Sequence, residues 1–210
     1  MTQEKTTRHR GRPSAEETRR RMAQVLQVAR REFMKNGYRA TTLESIAAAA
    51  GVSKRSIYLW HADKAALFVA CVQEGATRFP TLILNPDRDV ASTLREYAIA
   101  LMQELASDYS HGMGVLLCRE GRDFPELTAA AVDGMNRYLL GPLADYLRLH
   151  GLEQPGSTQR SSLLISMILG EIHSSLLMDT PLPDDARIKE YAELVVTVFL
   201  HGAALKNGTP

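Results

Sequence analysis

The sequence has little of what secreted, membrane and metal-binding proteins use. Its only two cysteines, Cys71 and Cys118, lack the paired spacing of a metal site and favour a reducing compartment. The N-terminus is polar and basic, without the apolar stretch of a signal peptide, and we expect no segment of about 18 apolar residues that could span a membrane. These absences predict a soluble, cytoplasmic protein that holds neither a metal nor a cofactor.

Sequence motifs of catalysis are also missing. The six histidines are scattered along the chain. We find no HExxH zinc motif, no glycine-rich phosphate loop and no GxSxG nucleophile turn. The protein is therefore not expected to be an enzyme.

Charge is unevenly distributed along the chain, although the net charge is only +1. Residues 1–64 contain 14 Lys and Arg against 6 Asp and Glu, whereas residues 65–210 contain 11 against 18. The excess of positive charge in the first part suits an anionic partner, such as nucleic acid or a membrane surface. A solvated basic tail is the alternative that charge alone leaves open.

The hydrophobic periodicity is helical in nearly every segment, and no strand-like alternation persists, which predicts an all-α protein. The first helix is expected to begin at a capping box formed by Ser14 and Glu17 and to end at Gly37. A later helix should run from Lys64 to about Phe79. Further helices are predicted near 90–107, 113–121, 125–149, 157–178 and 184–205, with the sequence "SHG" among the separators.

The stretch "AAAAGVSKRSIYLWH" stops one short helix and starts another within one turn. The first of the two is expected to be capped by Thr41 or Thr42 and to end at Gly51, and Ser53 can cap the second. Two short helices joined by a glycine-containing turn form a helix-turn-helix. The second helix of this motif can lie in the major groove of DNA and present its side chains to base edges.

The surrounding segment "FMKNGYRATTLESIAAAAGVSKRSIYLWHADKAALF" resembles the DNA-binding domain of the TetR family of bacterial regulators, and the resemblance extends over residues 14–68. It implies a three-helix helix-turn-helix domain at 14–63. It also implies a helical domain for effector binding and dimerisation at 64–210, where "REGRDFPEL" is similar to AefR-like members. One departure from the family is His61, at a position usually held by an aromatic residue such as Phe.

The resemblance and the chemistry of the second short helix give a set of candidate DNA contacts. Arginine and lysine side chains can hydrogen-bond guanine O6 and N7, whereas a free helix N-terminus favours phosphate. The candidates are Thr42, Ser53, Lys54, Arg55, Ser56, Tyr58, Trp60, His61 and Lys64. Residues 1–13 are predicted to form a flexible basic arm whose arginines, Arg8, Arg10 and Arg12, enter the minor groove. The alternative for this arm is a disordered tail that aids solubility.

The acidic part of the chain carries residues that suit an effector cavity. Flexible methionines and amphipathic tyrosines fit an adaptable apolar ligand, although each of them could instead be ordinary core. The candidates are Leu101, Met102, Leu105, Tyr109, Met113, Leu117, Phe124, Met135, Tyr138, Met167 and Glu171. Glu171 could orient a polar group of the ligand, or it could cap a neighbouring helix or pair with an arginine.

The last two predicted helices are apolar around most of their circumference and must therefore be buried. We predict that they form a four-helix interface between two copies of the chain, and a single thick core is the alternative. The residues assigned to dimerisation are Ile165, Ile168, Leu169, Ile172, Leu176, Val195, Val198 and Phe199.

The expected function is a transcriptional regulator that binds a palindromic operator in double-stranded DNA as a homodimer. The resemblance implies repression, with release by a small apolar or aromatic effector. The helix that begins at Lys64 directly follows the recognition helix, so we expect it to carry motion from the cavity to the DNA-binding domain. The alternative is an architectural DNA-binding protein that responds to no effector and whose C-terminal region has no cavity.

Overall fold

The computed structural model describes residues 14–82, 87–178 and 180–204, and every regular element within these ranges is helical. A π-helical turn, Asn136–Leu140, lies between the seventh and eighth α-helices. The α-helices are α1 Ala15–Ala40, α2 Leu43–Ala50, α3 Lys54–Trp60, α4 Lys64–Ala76, α5 Val90–Leu105, α6 Asp108–Glu120, α7 Pro125–Met135, α8 Gly141–Leu149, α9 Gln159–Met178 and α10 Asp185–Ala204. The prediction of an all-α fold is confirmed.

Helix α1 begins at the predicted cap but ends in a kink. The Ser14 hydroxyl accepts the backbone N–H of Glu17 at 3.1 Å. The other half of the predicted capping box is not formed, because the Glu17 carboxylate binds Arg21 at 2.6 Å. Gly37 has φ 80° and ψ 162°, so the regular helix stops there, as glycine at this position predicted.

The helix-turn-helix forms where the sequence placed it. Thr42 caps α2 and forms a reciprocal capping box with Ser45, whereas the hydroxyl of Thr41, the other candidate, donates to the carbonyl of Gly37 at 2.7 Å. Gly51 ends α2 in the left-handed region, with φ 66°. Ser53 then caps α3 by accepting the N–H of Ser56 at 3.0 Å.

One predicted separator between helices is wrong. The sequence "SHG" at 110–112 lies inside α6, which begins at Asp108 because the Ser107 hydroxyl caps it, accepting the N–H of Ser110 at 3.3 Å. The glycine at 112 costs the helix about 1 kcal/mol relative to alanine, but a Cβ there would lie 2.7 Å from the Sδ atom of Met34. Helix α4 also ends earlier than predicted, at Ala76 rather than near Phe79.

The buried side chains form two clusters. We call the first the N-terminal core; it combines α1 to α4 with residues of α6 and α7, among them Phe33, Ile57, Phe68, Met113 and Leu127. The second, the C-terminal core, is formed by α5, α8, the π-helical turn, α9 and α10. Because α6 and α7 contribute to the first cluster, the helix-turn-helix is packed directly against the rest of the chain.

Helices α9 and α10 each bury one face within their own chain, which corrects the predicted dimerisation set. Five of its members are buried within the single chain: Ile165, Ile168, Val195 and Phe199 lie in the C-terminal core, and Ile172 is buried as well. Leu169 and Leu176 are half-buried, and Val198 is exposed. The exposed apolar positions of these two helices are instead Leu163, Leu177, Met178, Leu194 and Val198, each more than half exposed. Because apolar residues surround most of each helix, the 3.6-residue periodicity of the sequence is weak. It therefore does not identify which face is buried within the single chain.

Helix α9, Gln159–Met178, is long and apolar enough to cross a membrane by length and composition, which corrects our expectation that no segment would be. Length and composition alone are weak evidence for a membrane-spanning helix, since core helices of soluble proteins meet the same criteria. Its buried side chains, such as Leu164 and Ile168, pack in the C-terminal core.

Candidate nucleic-acid interface and apolar cavity

The recognition helix α3 is anchored by one side chain and exposes most of the others. Ile57 is completely buried in the N-terminal core, and Trp60 packs partly against the same core. Arg55 and Tyr58 lie on the exposed surface of the helix. The geometry therefore leaves α3 free to enter a groove of DNA while its inner side holds it on the domain.

Lys54 has partners on its own surface. Its ammonium group forms an ion pair with Glu44 of α2 and lies 5.5 Å from the ring centroid of Tyr58. An exposed ion pair of this kind contributes little stability, so exchanging it for a DNA contact would cost little. The DNA contacts of Lys54, Arg55 and Tyr58 remain predictions.

Two of the three hydroxyl candidates act as helix caps, and the third contacts one of them. Thr42 and Ser53 use their side-chain oxygens on the first turns of α2 and α3. The hydroxyl of Ser56 lies 2.8 Å from that of Ser53. Each of these groups is near the protein surface, and a phosphate contact by any of them remains a prediction.

Lys64 has a different environment from the one the sequence indicated. Its ammonium group donates to the backbone carbonyls of Tyr38 at 2.7 Å and Thr41 at 3.0 Å, and lies 4.3 Å from the ring centroid of Tyr38. Burial lowers the pKa of this amine below its usual value. Lys64 thus ties the start of α4 to the end of α1, and a direct phosphate contact by the same group remains a prediction.

His61 is the C-cap residue of α3 and is half-buried. Its Nε2 atom is buried and has no hydrogen-bond partner among the residues that the structure describes. Burial lowers the pKa of this imidazole from its ordinary 6.5, since the charged form loses hydration. This environment is that of a packing side chain, which supports the reading of His61 as a substitute for an aromatic residue.

We expect His61→Phe to stabilise the protein by about 1 kcal/mol at neutral pH, because it removes an unpaired buried nitrogen. The depressed pKa means that the unfolded chain binds the extra proton more readily, so wild-type stability should fall as pH drops below about 6.5. His61→Phe should reduce that fall, measured by chemical denaturation between pH 5 and 8. His173→Gln, at an exposed position of α9, is the control. An unchanged pH dependence in His61→Phe would contradict the assignment.

Leu59 is an interface candidate that sequence reasoning missed. It follows Tyr58 on α3 and is 73% exposed. An exposed leucine on a recognition helix can contact the methyl group of thymine in the major groove. The signal in the sequence was the i, i+2 offset of Leu59 from the buried Ile57, which places the two side chains on different faces of one helix.

The predicted minor-groove arm, with Arg8, Arg10 and Arg12, lies outside the described residues. Its contact with DNA remains a prediction.

An apolar cavity of about 180 Å³ lies between α4, α6 and α7. Five of the predicted ligand residues line it: Leu105, Tyr109, Met113, Leu117 and Met135. Val72, Gly75, Ala76, Phe79, Ser110, Gly114, Ala131, Gly134 and Leu139 complete the lining. Most of these additional residues are small, and no sequence pattern points to them, because small residues leave a cavity only where packed helices bring them together.

The other six predicted ligand residues do not line this cavity. Leu101 and Met102 are completely buried in the C-terminal core, and Met167 packs against that core from α9. Phe124 packs edge-to-face against Tyr38, with ring centroids 4.9 Å apart. Tyr138 lies on the π-helical turn, and Glu171 pairs with Arg187 at 2.7 Å, which was one alternative to a ligand contact.

The polar groups of the cavity wall are already hydrogen-bonded. Tyr109 donates its hydroxyl to the carbonyl of Cys71 at 2.9 Å, and Ser110 donates to the carboxylate of Glu104 at 2.8 Å. The Tyr109 ring lies between two guanidinium groups, those of Arg30 and Arg78, each 4.9 Å from its centroid. Burial raises the pKa of Tyr109, so this hydroxyl is neutral at physiological pH.

Residues 25–71 match the family model described as "Bacterial regulatory proteins, tetR family". This range contains most of α1, all of α2 and α3, and the first part of α4. None of the curated proteins compared with the chain matches it.

Several solved structures share the fold. One from Mesorhizobium loti MAFF303099, assigned to the TetR family of transcriptional regulators, is 24% identical, with 88% of this chain and 97% of that chain covered and a TM-score of 0.74. The flavonoid-responsive regulator FrrA is 21% identical, with 87% and 96% covered and a TM-score of 0.68. The multidrug binding protein EbrR, complexed with ethidium, is 20% identical, with 85% and 98% covered and a TM-score of 0.58.

The matched segment coincides with the exposed recognition helix and its supporting core, and the remaining helices follow the same fold as the solved structures. Residues 25–71 thus have the helix-turn-helix that the tetR family model describes, and the chain shares its overall fold with solved structures of TetR-family regulators.

Proposed function

We propose that this regulator is a repressor that binds a palindromic operator as a homodimer and releases it when an apolar or aromatic effector enters the cavity. The observation that carries the proposal is the pairing of an exposed recognition helix with an apolar cavity bounded by the helix that follows it. Only three residues separate the end of α3 at Trp60 from the start of α4 at Lys64, and Val72, Gly75 and Ala76 of α4 line the cavity.

The outward face of α9 and α10 supports the dimer. Leu163, Leu194 and Val198 are exposed apolar side chains on two helices that pack together, and a groove between these helices is lined by Leu163, Met167 and Val198. Contiguous exposed apolar surface of this kind marks association sites on soluble proteins. A two-fold axis across this face would place two recognition helices on one duplex.

The chemistry of the cavity supports a neutral effector with few polar groups. Because the hydroxyls of Tyr109 and Ser110 already have partners within the chain, a charged ligand group would lose its hydration without compensation. FrrA is named for its response to flavonoids, and EbrR was solved with ethidium; both ligands are aromatic, which supports an aromatic effector but not its neutrality, since ethidium is a cation. The cavity also favours effector control over a purely architectural role, which needs no ligand space.

Selection of duplexes from a random DNA library by the full-length protein tests this proposal. We expect the enriched sequences to contain two inverted half-sites, with centres one helical turn of about 10 base pairs or a little more apart. Apolar and aromatic compounds are then screened for release of the selected duplex. Enrichment of asymmetric single sites would contradict the dimer, and a screen without any releasing compound would favour the architectural alternative.

A further inference from the structure

The segment "REGRDFPEL", residues 119–127, forms the corner between α6 and α7, and this corner holds the DNA-binding domain. The carboxylate of Glu120 accepts the backbone N–H of Tyr38 at 3.1 Å and that of Arg39 at 2.9 Å. Both amides belong to the segment 37–41, which connects the kink of α1 to the cap of α2. Hydrogen bonds from amides to a charged acceptor are among the stronger ones in proteins.

Gly37 allows this approach. Its φ of 80° is in the region that side chains with a Cβ rarely adopt. A Cβ on this residue would also collide with the Oε1 atom of Glu120. The close approach of the Glu120 carboxylate to the segment 37–41 therefore depends on glycine at position 37.

Other groups of the same corner reinforce the contact. Tyr38 donates its hydroxyl to Glu126 of α7 at 3.1 Å, and Arg39 binds Asp123 at 2.7 Å. From the opposite side, Lys64 at the start of α4 binds carbonyls of the segment 37–41. The segment is thus held by groups from α4, α6, α7 and the turn between α6 and α7.

The same three helices line the cavity. Leu117 is one turn before Glu120 on α6, Ala131 is on α7, and Val72 is on α4. Each helix therefore has the cavity along its length and the segment 37–41 at one end. A change in the separation of these helices has to alter the position of that segment, or break its hydrogen bonds.

We propose that Glu120 is a positioning residue for operator binding: by holding the segment 37–41, it sets where the helix-turn-helix lies relative to the rest of the chain, and hence the distance between the two recognition helices of a dimer. This inference rests on the proposed function, because it assumes a dimer that reads two half-sites. It adds a second route from the cavity to DNA, besides the direct connection of α3 to α4.

The test uses the full-length protein and the selected duplex, together with a duplex that carries one extra base pair between the half-sites. The insertion turns one half-site by about 36° and should lower wild-type affinity on the order of 100-fold. In Glu120→Ala the domain is held less firmly, so we expect a loss of only about tenfold on the same insertion. Glu120→Gln keeps one acceptor oxygen, so its loss of affinity on the inserted duplex should lie between those of wild type and Glu120→Ala.

Glu96→Ala, which removes an exposed carboxylate of α5 that pairs with Arg88, is the matched control and should behave as wild type. A variant that is only destabilised would lose affinity for both duplexes by the same factor. The ratio of the two affinities therefore separates an effect on the position of the DNA-binding domain from an effect on stability. Amide hydrogen exchange at Tyr38 and Arg39 should also be roughly tenfold faster in Glu120→Ala.

An unchanged spacing ratio in Glu120→Ala, with wild type showing the expected loss, would overturn the role of Glu120 and leave the proposed function intact. A wild-type protein indifferent to spacing would instead count against the proposed dimer on a palindrome. The two failures are therefore distinguishable.

Discussion

Replacing both Leu163 and Val198 with glutamate is expected to yield a folded monomer that has lost operator binding. Both side chains are exposed in the single chain, so their replacement creates no cavity in the C-terminal core. In a dimer they would lie in the interface, where two added carboxylates per chain would repel one another and lose hydration. A monomer engages one half-site only, so we expect the affinity for the selected duplex to fall on the order of 1,000-fold or more.

Analytical ultracentrifugation and a duplex titration measure the two effects separately. The control is the double variant Val132→Glu and Leu149→Glu, which changes two exposed apolar residues away from the α9 and α10 face. It should remain dimeric and bind the duplex as wild type does. A dimer that persists in the Leu163 and Val198 variant, with undiminished affinity, would show that the chains associate through another surface.

The second large effect is expected from filling the cavity. Met113 lines it from α6, and Trp at this position would occupy the space that an effector needs. Moving a regulator from mostly bound to mostly released takes roughly 5.5 kcal/mol of differential effector affinity, so even partial loss of effector contacts should abolish most of the response. We expect Met113→Trp to lower the effector-induced release by at least about tenfold, while DNA affinity without effector changes little.

Because Met113 also packs in the N-terminal core, a second variant keeps the experiment interpretable. Ala131→Trp fills the same cavity from α7, and Val132→Trp, at the next and exposed position, is its control. The measurement is fluorescence anisotropy of labelled operator with increasing concentrations of a compound from the screen. Undiminished release in both cavity variants would place the effector elsewhere in the chain.

The helix-turn-helix could be predicted from sequence because its signals are local. Thr42, Gly51 and Ser53 start or stop helices through contacts within four residues, and these caps formed as the residue types require. Only the choice between Thr41 and Thr42 was left open. Helix propensity and capping suffice for prediction where the conformation of a segment depends only on residues close to it in sequence.

The cavity and the interdomain contacts could not be predicted in the same way because they depend on how helices pack. Leu101 and Leu105 are one turn apart on α5, yet one is in the C-terminal core and the other lines the cavity. Lys64 is one of the predicted DNA contacts, and no local pattern indicates that it binds carbonyls more than 20 residues away in sequence. Glu120 received no role for the same reason.

The central claim, that two recognition helices read two half-sites of one duplex, is tested most directly by scrambling one half-site of the selected operator. Titration of wild-type protein with the intact and the half-scrambled duplex, at the same salt concentration, gives the ratio of affinities. Each mismatched base pair costs about 1–3 kcal/mol, so scrambling several should lower affinity at least about 100-fold. Equal affinity for the two duplexes would contradict the account.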